Sequence, residues 1–206
     1  MRRSAAQTRE HVLGIAHELF YWNGIHAIGV DRVAAEAGVA PTTLYRLFRS
    51  KDDLVGAYVE RADHYYRAWF SEATKDDGRD PRDRILAAFD ELIVQVDPAV
   101  CRGCPFLMAL AEFPDPELPA HRNAVATKAW MRARFGELAG QLGVAEPDAL
   151  ADQLALVMEG VYASVQALGI DGPARQARDL VELLLPDRAS EDAVGAEARR
   201  GAPAPA

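Results

Sequence analysis

Apolar residues recur at helical spacing along almost the whole chain. Val12, Ile15, Leu19 and Phe20 fall at i, i+3, i+7 and i+8, one apolar face with Arg9, Glu10, His17 and Glu18 largely off it. Gly24 stops that helix. Val30, Val33, Ala34 and Ala37 predict a short second helix ending at Gly38, and Pro41 opens a third, because proline is tolerated in a first helical turn. Ser50, with Asp53 three residues on, resembles a capping box and starts a fourth helix that runs to about residue 73. After a polar break at 76–79, Pro81 opens a helix carrying Ile85, Phe89, Leu92, Ile93 and Val96 on one face, closed by Asp97 and Pro98. Then come a loop, a short helix over about 105–112 and a proline-rich connection. Two long helices near 125–142 and 147–168 and a last one over 173–185 complete the pattern. There is no sustained period-two alternation and no Asn-Gly or Asp-Gly turn between apolar runs, so strands are not expected. The prediction is an all-α fold of about nine helices, three short and then about six longer.

Half of the 206 residues are apolar, enough for one substantial core or two small units sharing one. No run approaches the roughly 18 apolar residues a membrane helix needs, and the two arginines of "MRRSAAQTRE" have no apolar run behind them. A soluble, cytoplasmic protein without membrane contact is expected. Residues 187–206 hold almost no large apolar side chain and read as a disordered tail. The net charge of -8 argues at first against nucleic acid, since a phosphate-binding surface needs Lys and Arg to displace counterions. Its distribution changes that picture. Residues 1–51 hold seven basic side chains (Arg2, Arg3, Arg9, Arg32, Arg46, Arg49, Lys51) and four acidic ones, a net +3, which leaves -11 for the other 155. A mildly basic head, 1–51, therefore sits on an acidic body, 52–186.

Within the head, residues 30–48 have the form of a helix-turn-helix, whose second helix must project into a major groove about 12 Å wide. Ala34 is small where two helices meet, Gly38 can take the left-handed turn conformation, and Val39 can pack beneath it. Leu44, Leu47 and Phe48 give the third helix an inward face, leaving Pro41, Thr42, Thr43, Tyr45 and Arg46 outward and able to contact DNA.

The run "HVLGIAHELFYWNGIHAIGVDRVAAEAGVAPTTLYRLFRSKDDLVGAYVE" closely resembles the DNA-binding domain of the tetracycline-repressor (TetR) family of bacterial transcriptional regulators. An apolar-Ala-x-x-Leu-Phe stretch ending in Gly24, "RVAAEAGV", "TLYRLF" and a Lys with Leu three residues on occur together over about 50 residues. The resemblance implies that Thr43 gives a hydroxyl to phosphate or base, that Tyr45 is an aromatic phosphate contact, and that Lys51 meets the backbone from the start of the fourth helix. Arg46 stands at a variable position and is the best candidate to read a base, by bidentate bonding to guanine; Thr42 is placed to touch phosphate or a thymine methyl. Ala40 stands where Ser or Thr often caps the recognition helix, so that cap is missing.

The same resemblance implies that the body binds an effector and dimerises. Leu154, Leu156, Val157, Val161 and Val165, with Leu180, Val181, Leu183 and Leu184, offer apolar surface for a four-helix interface between the last two helices of two copies. Such a homodimer would read a near-palindromic double-stranded operator. Phe89, Ile93, Phe106, Met108, Phe113, Trp130, Met131, Phe135, Met158 and Tyr162 are the large residues available to line a pocket, and they suit a largely apolar small-molecule effector. The expected role is a repressor released by that effector.

"CRGCPF" places Cys101 and Cys104 at a spacing that suits a disulfide, half a zinc site or thiol exchange. The five histidines are not paired as zinc ligands, and the βαβ pattern of a thioredoxin-type enzyme is missing, so no metal and no cofactor are expected. A redox-sensing regulator remains an alternative, as does a helical protein-binding adaptor. Enzyme motifs such as His-Glu-x-x-His, Gly-x-Ser-x-Gly or a phosphate-binding loop are missing, so an enzyme is not expected.

Overall fold

The computed structural model describes residues 3–187, and within them the only regular secondary structure is helical. The order is α1 (Ala5–Asn23), α2 (Val30–Glu36), α3 (Pro41–Leu47), α4 (Lys51–Ala73), α5 (Pro81–Gln95), α6 (Pro105–Glu112), α7 (Pro119–Gln141), α8 (Pro147–Leu168), a 3-10 turn (Pro173–Gln176) and α9 (Ala177–Leu184). Of the tail expected over 187–206, all but Asp187 lies outside the described residues. No helix among them is long and apolar enough to cross a membrane.

The starts follow local chemistry. Five helices open on proline at their first position, where its fixed φ suits a helix and its missing N–H costs nothing. Three details depart from the expected pattern. First, α1 is a 19-residue helix rather than a short one, and its start is a complete capping box: Ser4 Oγ accepts from Gln7 N–H while Gln7 Oε1 accepts from Ser4 N–H. Second, α7 begins at Pro119 rather than near residue 125, because the last proline of the connection takes the first helical position. Third, Ser50 caps α4 through Asp53 N–H at 3.0 Å, but Asp53 turns its carboxylate to Arg49, so only half of the box forms.

α4 and α7 form the centre, with α1, α5 and α6 against α4 and with α5, α6 and α8 against α7. Their crossing is tight: a Cβ added at Gly56 would stand 2.6 Å from Pro119 Cβ, and Asn123 donates to Gly56 O at 3.1 Å. Glycine is what permits this approach. Farther along, Phe70, Phe89 and Phe135 interlock, with Phe135 ring centroids 5.2 Å from Phe70 and 5.7 Å from Phe89. All three are fully buried, each contributing roughly 1.5–3 kcal/mol of transfer free energy. The buried Arg84 guanidinium donates twice to Thr74 O, at 3.1 and 3.0 Å, and once to Gln141 Oε1 at 3.0 Å, placing a cation on the C-terminus of α4 where the helix dipole favours it.

The apolar set expected to pair two copies divides between two faces. Leu154, Val161, Val165 and Val181 are buried in the chain's own core, while Leu156, Leu180 and Leu183 are 72, 46 and 83 % exposed. α8 carries apolar residues on more than one face, one stripe turned to α7 and another outward, and sequence spacing alone merges the two.

Candidate DNA-binding surface and its junction with the body

α2 and α3 are held at their angle by buried side chains and by one turn. Val33, Ala34, Leu44 and Phe48 join Val12, Ala16, Phe20, Ile25 and Ile28 in a shared core, so α2 and α3 are braced by α1 from behind. Gly38 takes φ +64°, a conformation costly for any residue with a Cβ, and the next amide, Val39 N–H, donates to Ala34 O at 3.0 Å. His11 Nε2 lies 3.0 Å from Ala37 O, tying α1 to that turn. The start of α3 has no side-chain cap: Ala40 occupies the cap position, and only its carbonyl serves the helix, through Thr43 N–H at 2.8 Å.

With Leu44 buried, α3 presents Thr42, Tyr45 and Arg46 to solvent, Tyr45 at 49 % exposure, while Thr43 is half-buried beside them. Thr43 and Arg46 line a polar cleft together with Arg3, just ahead of α1, and Thr8 in its first turn, two residues outside the predicted contact set. Thr8 also donates to Ser4 O at 2.8 Å. The capping signature Ser4-x-x-Gln7 was the sequence signal for an ordered start here. Lys51 is half-buried at the start of α4, its Nζ 3.5 Å from His26 O. Arg49, whose side chain is exposed, is paired with Asp53 at 3.0 Å.

The head meets the body through two sets of hydrogen bonds. The Tyr21 hydroxyl accepts from Arg102 N–H (2.8 Å) and Gly103 N–H (3.2 Å) and donates to Gly103 O (2.8 Å), while Arg102 Nη1 donates to Tyr21 O at 2.8 Å. Burial pushes the Tyr21 hydroxyl pKa far up, so it stays protonated as a donor. Glu112, at the end of α6, accepts from Ile25 N–H (3.0 Å) and His26 N–H (2.6 Å), and His26 Nε2 lies 2.8 Å from Glu112 O. Sequence reasoning missed both groups. Their signal was weak: a tyrosine at the edge of an apolar helix face, whose hydroxyl needs a partner once buried.

Directly behind Tyr21 lies a cavity of about 280 Å³, walled by α1, α4, the end of α5, the segment leading into α6, the start of α6, and α8. Of the ten residues proposed to line a pocket, Phe106 and Tyr162 reach it. Phe89, Met131, Phe135 and Met158 are interior core, and Phe113 stacks on His26 at 4.7 Å. Ile93, Met108 and Trp130 are half-buried against the core. Cys101 and Cys104 are free thiols. Cys104 is buried, and desolvation raises its thiol pKa although Lys128 Nζ lies 3.2 Å away, so the reactive thiolate is disfavoured. Nothing in this arrangement supports a redox role.

The model of bacterial regulatory proteins of the tetR family matches residues 12–58, from α1 into α4. The HTH-type transcriptional regulator SAB2452 of Staphylococcus aureus is 32 % identical over 93 residues, 45 % of this chain and 50 % of that protein, so the match spans about half the length of that relative. Reduced NemR of Escherichia coli is 22 % identical and shares the fold, with a TM-score of 0.77 over 88 % of this chain and 99 % of its own. The crystal structure of SCO4454, a TetR-family transcriptional regulator of Streptomyces coelicolor, superposes with a TM-score of 0.81 at 33 % identity, covering 87 % of this chain and 94 % of that one. With that likeness extending through head and body alike, the chain belongs to the TetR family of transcriptional regulators.

Proposed function

We propose that this protein works in the cytoplasm as a repressor, binding a near-palindromic operator as a two-fold homodimer and leaving it when a small, largely apolar ligand occupies the body. The observation that carries the reading is α3 itself: a seven-residue helix seated on buried Leu44 that turns Thr42, Tyr45 and Arg46 to solvent. Arg46 reads guanine, Tyr45, Thr42 and Thr43 engage phosphate or neighbouring base edges, and Lys51 holds the backbone. Pairing through α8 and α9 is supported by the exposed Leu156, Leu180 and Leu183, the first two of which line an apolar groove with Val157 and Val161. A dimer closed there would cover these side chains and set two recognition helices on successive major grooves. Release is a population shift: the ligand binds more tightly to a conformer in which α4 tilts and the helix spacing no longer fits the groove.

Selection of bound DNA from a random pool tests the reading. A palindrome with a guanine whose enrichment disappears in Arg46→Ala is the expected outcome. Retention of DNA without sequence preference would overturn it.

A further inference from the structure

The cavity behind Tyr21 has a composition of its own. Six aromatic rings wall it (Tyr21, Tyr65, Tyr66, Trp69, Phe106, Tyr162), and no Asp, Glu, Lys or Arg is among its lining residues. At about 280 Å³ it sits at the lower edge of the roughly 300–1,000 Å³ typical of ligand sites. His17 lines it as well, stacked on Tyr21 at 5.8 Å, and its Nδ1 is buried without a hydrogen-bond partner. Burial lowers the His17 pKa, so at neutral pH the wall carries no charge and the ring keeps one donor and one acceptor nitrogen. Three of these rings already face a cation: Lys128 Nζ stands 5.4–5.8 Å from the centroids of Tyr66, Phe106 and Tyr162. Lys128 is itself paired with Glu159 at 2.5 Å. A cationic guest would therefore find three of the six quadrupoles used by Lys128 and that of Tyr65 by Arg61, 5.2 Å from its centroid, and an anionic guest would find no free positive charge in the wall.

We propose that this cavity binds a small uncharged aromatic molecule bearing one hydrogen-bonding group, held edge-to-face among the rings with that group on His17, and therefore in direct contact with α1 of the DNA-binding head. The inference deepens the regulatory reading above and rests on it for its effect at DNA. Tyr21 is both a wall of the cavity and the group that fastens the 101–103 segment to α1, and Cys101 and Gly103 of that segment line the cavity too. A bound ring thus touches both sides of that fastening, and no relay through the body is needed to reach the head.

The test uses the full chain with indole and phenol as uncharged probes and benzoate and phenyltrimethylammonium as charged ones, in calorimetric titrations. Two variants report on position: Ala62→Leu fills the cavity, and Val100→Trp, at a cavity-lining residue that is 67 % exposed, obstructs it without disturbing the core. Saturable uptake of indole or phenol at one site per chain is expected, weakened at least tenfold in Val100→Trp. NOEs should connect the probe to the His17 and Tyr21 rings. If neither uncharged probe saturates while the protein still selects its operator, the site is refuted and the regulator reading stands. If the probes bind as expected but no DNA sequence is preferred, the site stands and the regulator reading fails. Equal affinity for either charged probe, or unchanged uptake in both variants, would also overturn the inference.

Discussion

Arg46 and Lys51 are both proposed DNA contacts, but their loss should register differently. Arg46→Ala should cost about 1–3 kcal/mol on the best operator and relax preference at one half-site position. Lys51→Ala should weaken all sequences alike and reduce the slope of log affinity against log salt by about 1. Anisotropy titrations at several salt concentrations on matched and mismatched duplexes separate the two, and a sequence-dependent loss from Lys51→Ala would reverse the assignment. His17 yields a pH prediction. Its folded pKa lies below its ordinary value of 6.5 because burial disfavours the charged ring, outweighing the raising effect of Glu18. Above that value neither state holds the proton; as pH falls through it the unfolded chain binds first, so stability declines toward acid. His17→Phe should flatten that decline below pH 6.5 in denaturant titrations. The exposed face of α3 was legible because amphipathic spacing and the family pattern agree on that helix. His17 and Tyr21 were not: the spacing sets His17 off the apolar face and leaves Tyr21 at its edge, while the structure turns both toward the cavity.

At the scale of elements, α3 is held by a good turn and a poor cap. Gly38→Ala forces a Cβ into a left-handed conformation and should destabilise the fold by about 1–2 kcal/mol. Ala40→Ser should restore the missing cap and stabilise by about 0.5–2 kcal/mol, seen as a higher melting temperature. No gain from Ala40→Ser would mean that the start of α3 is satisfied another way. Helix identity was readable almost throughout, from proline starts and glycine stops. The ends were less so: Asp53 serves Arg49 instead of closing its box, and that choice depends on a long side chain outside the helix. The outward stripe of α8 was likewise blurred with its inward one, because spacing marks an apolar face without saying which neighbour covers it.

For the molecule as a whole, the exposed leucines of α8 and α9 are the feature most at odds with an isolated chain. Leu156→Glu combined with Leu183→Glu should leave a folded monomer by sedimentation, with operator affinity reduced by at least tenfold because each half-site is then bound alone. A double variant that stayed dimeric would move the interface elsewhere. The crossing of α4 over α7 sets a further constraint. Gly56 on Pro119 leaves no slack, so a rigid α4 turning there has unequal arms: about 7.5 Å to Lys51 and about 20 Å to Trp69 beside the cavity. A displacement of about 1 Å at Trp69 then moves Lys51 by only about 0.4 Å, in the opposite sense, while the force it delivers grows about two and a half times. Such gearing trades travel for leverage, which would suit the proposed release, in which ionic contacts at that end are broken rather than swept across a groove.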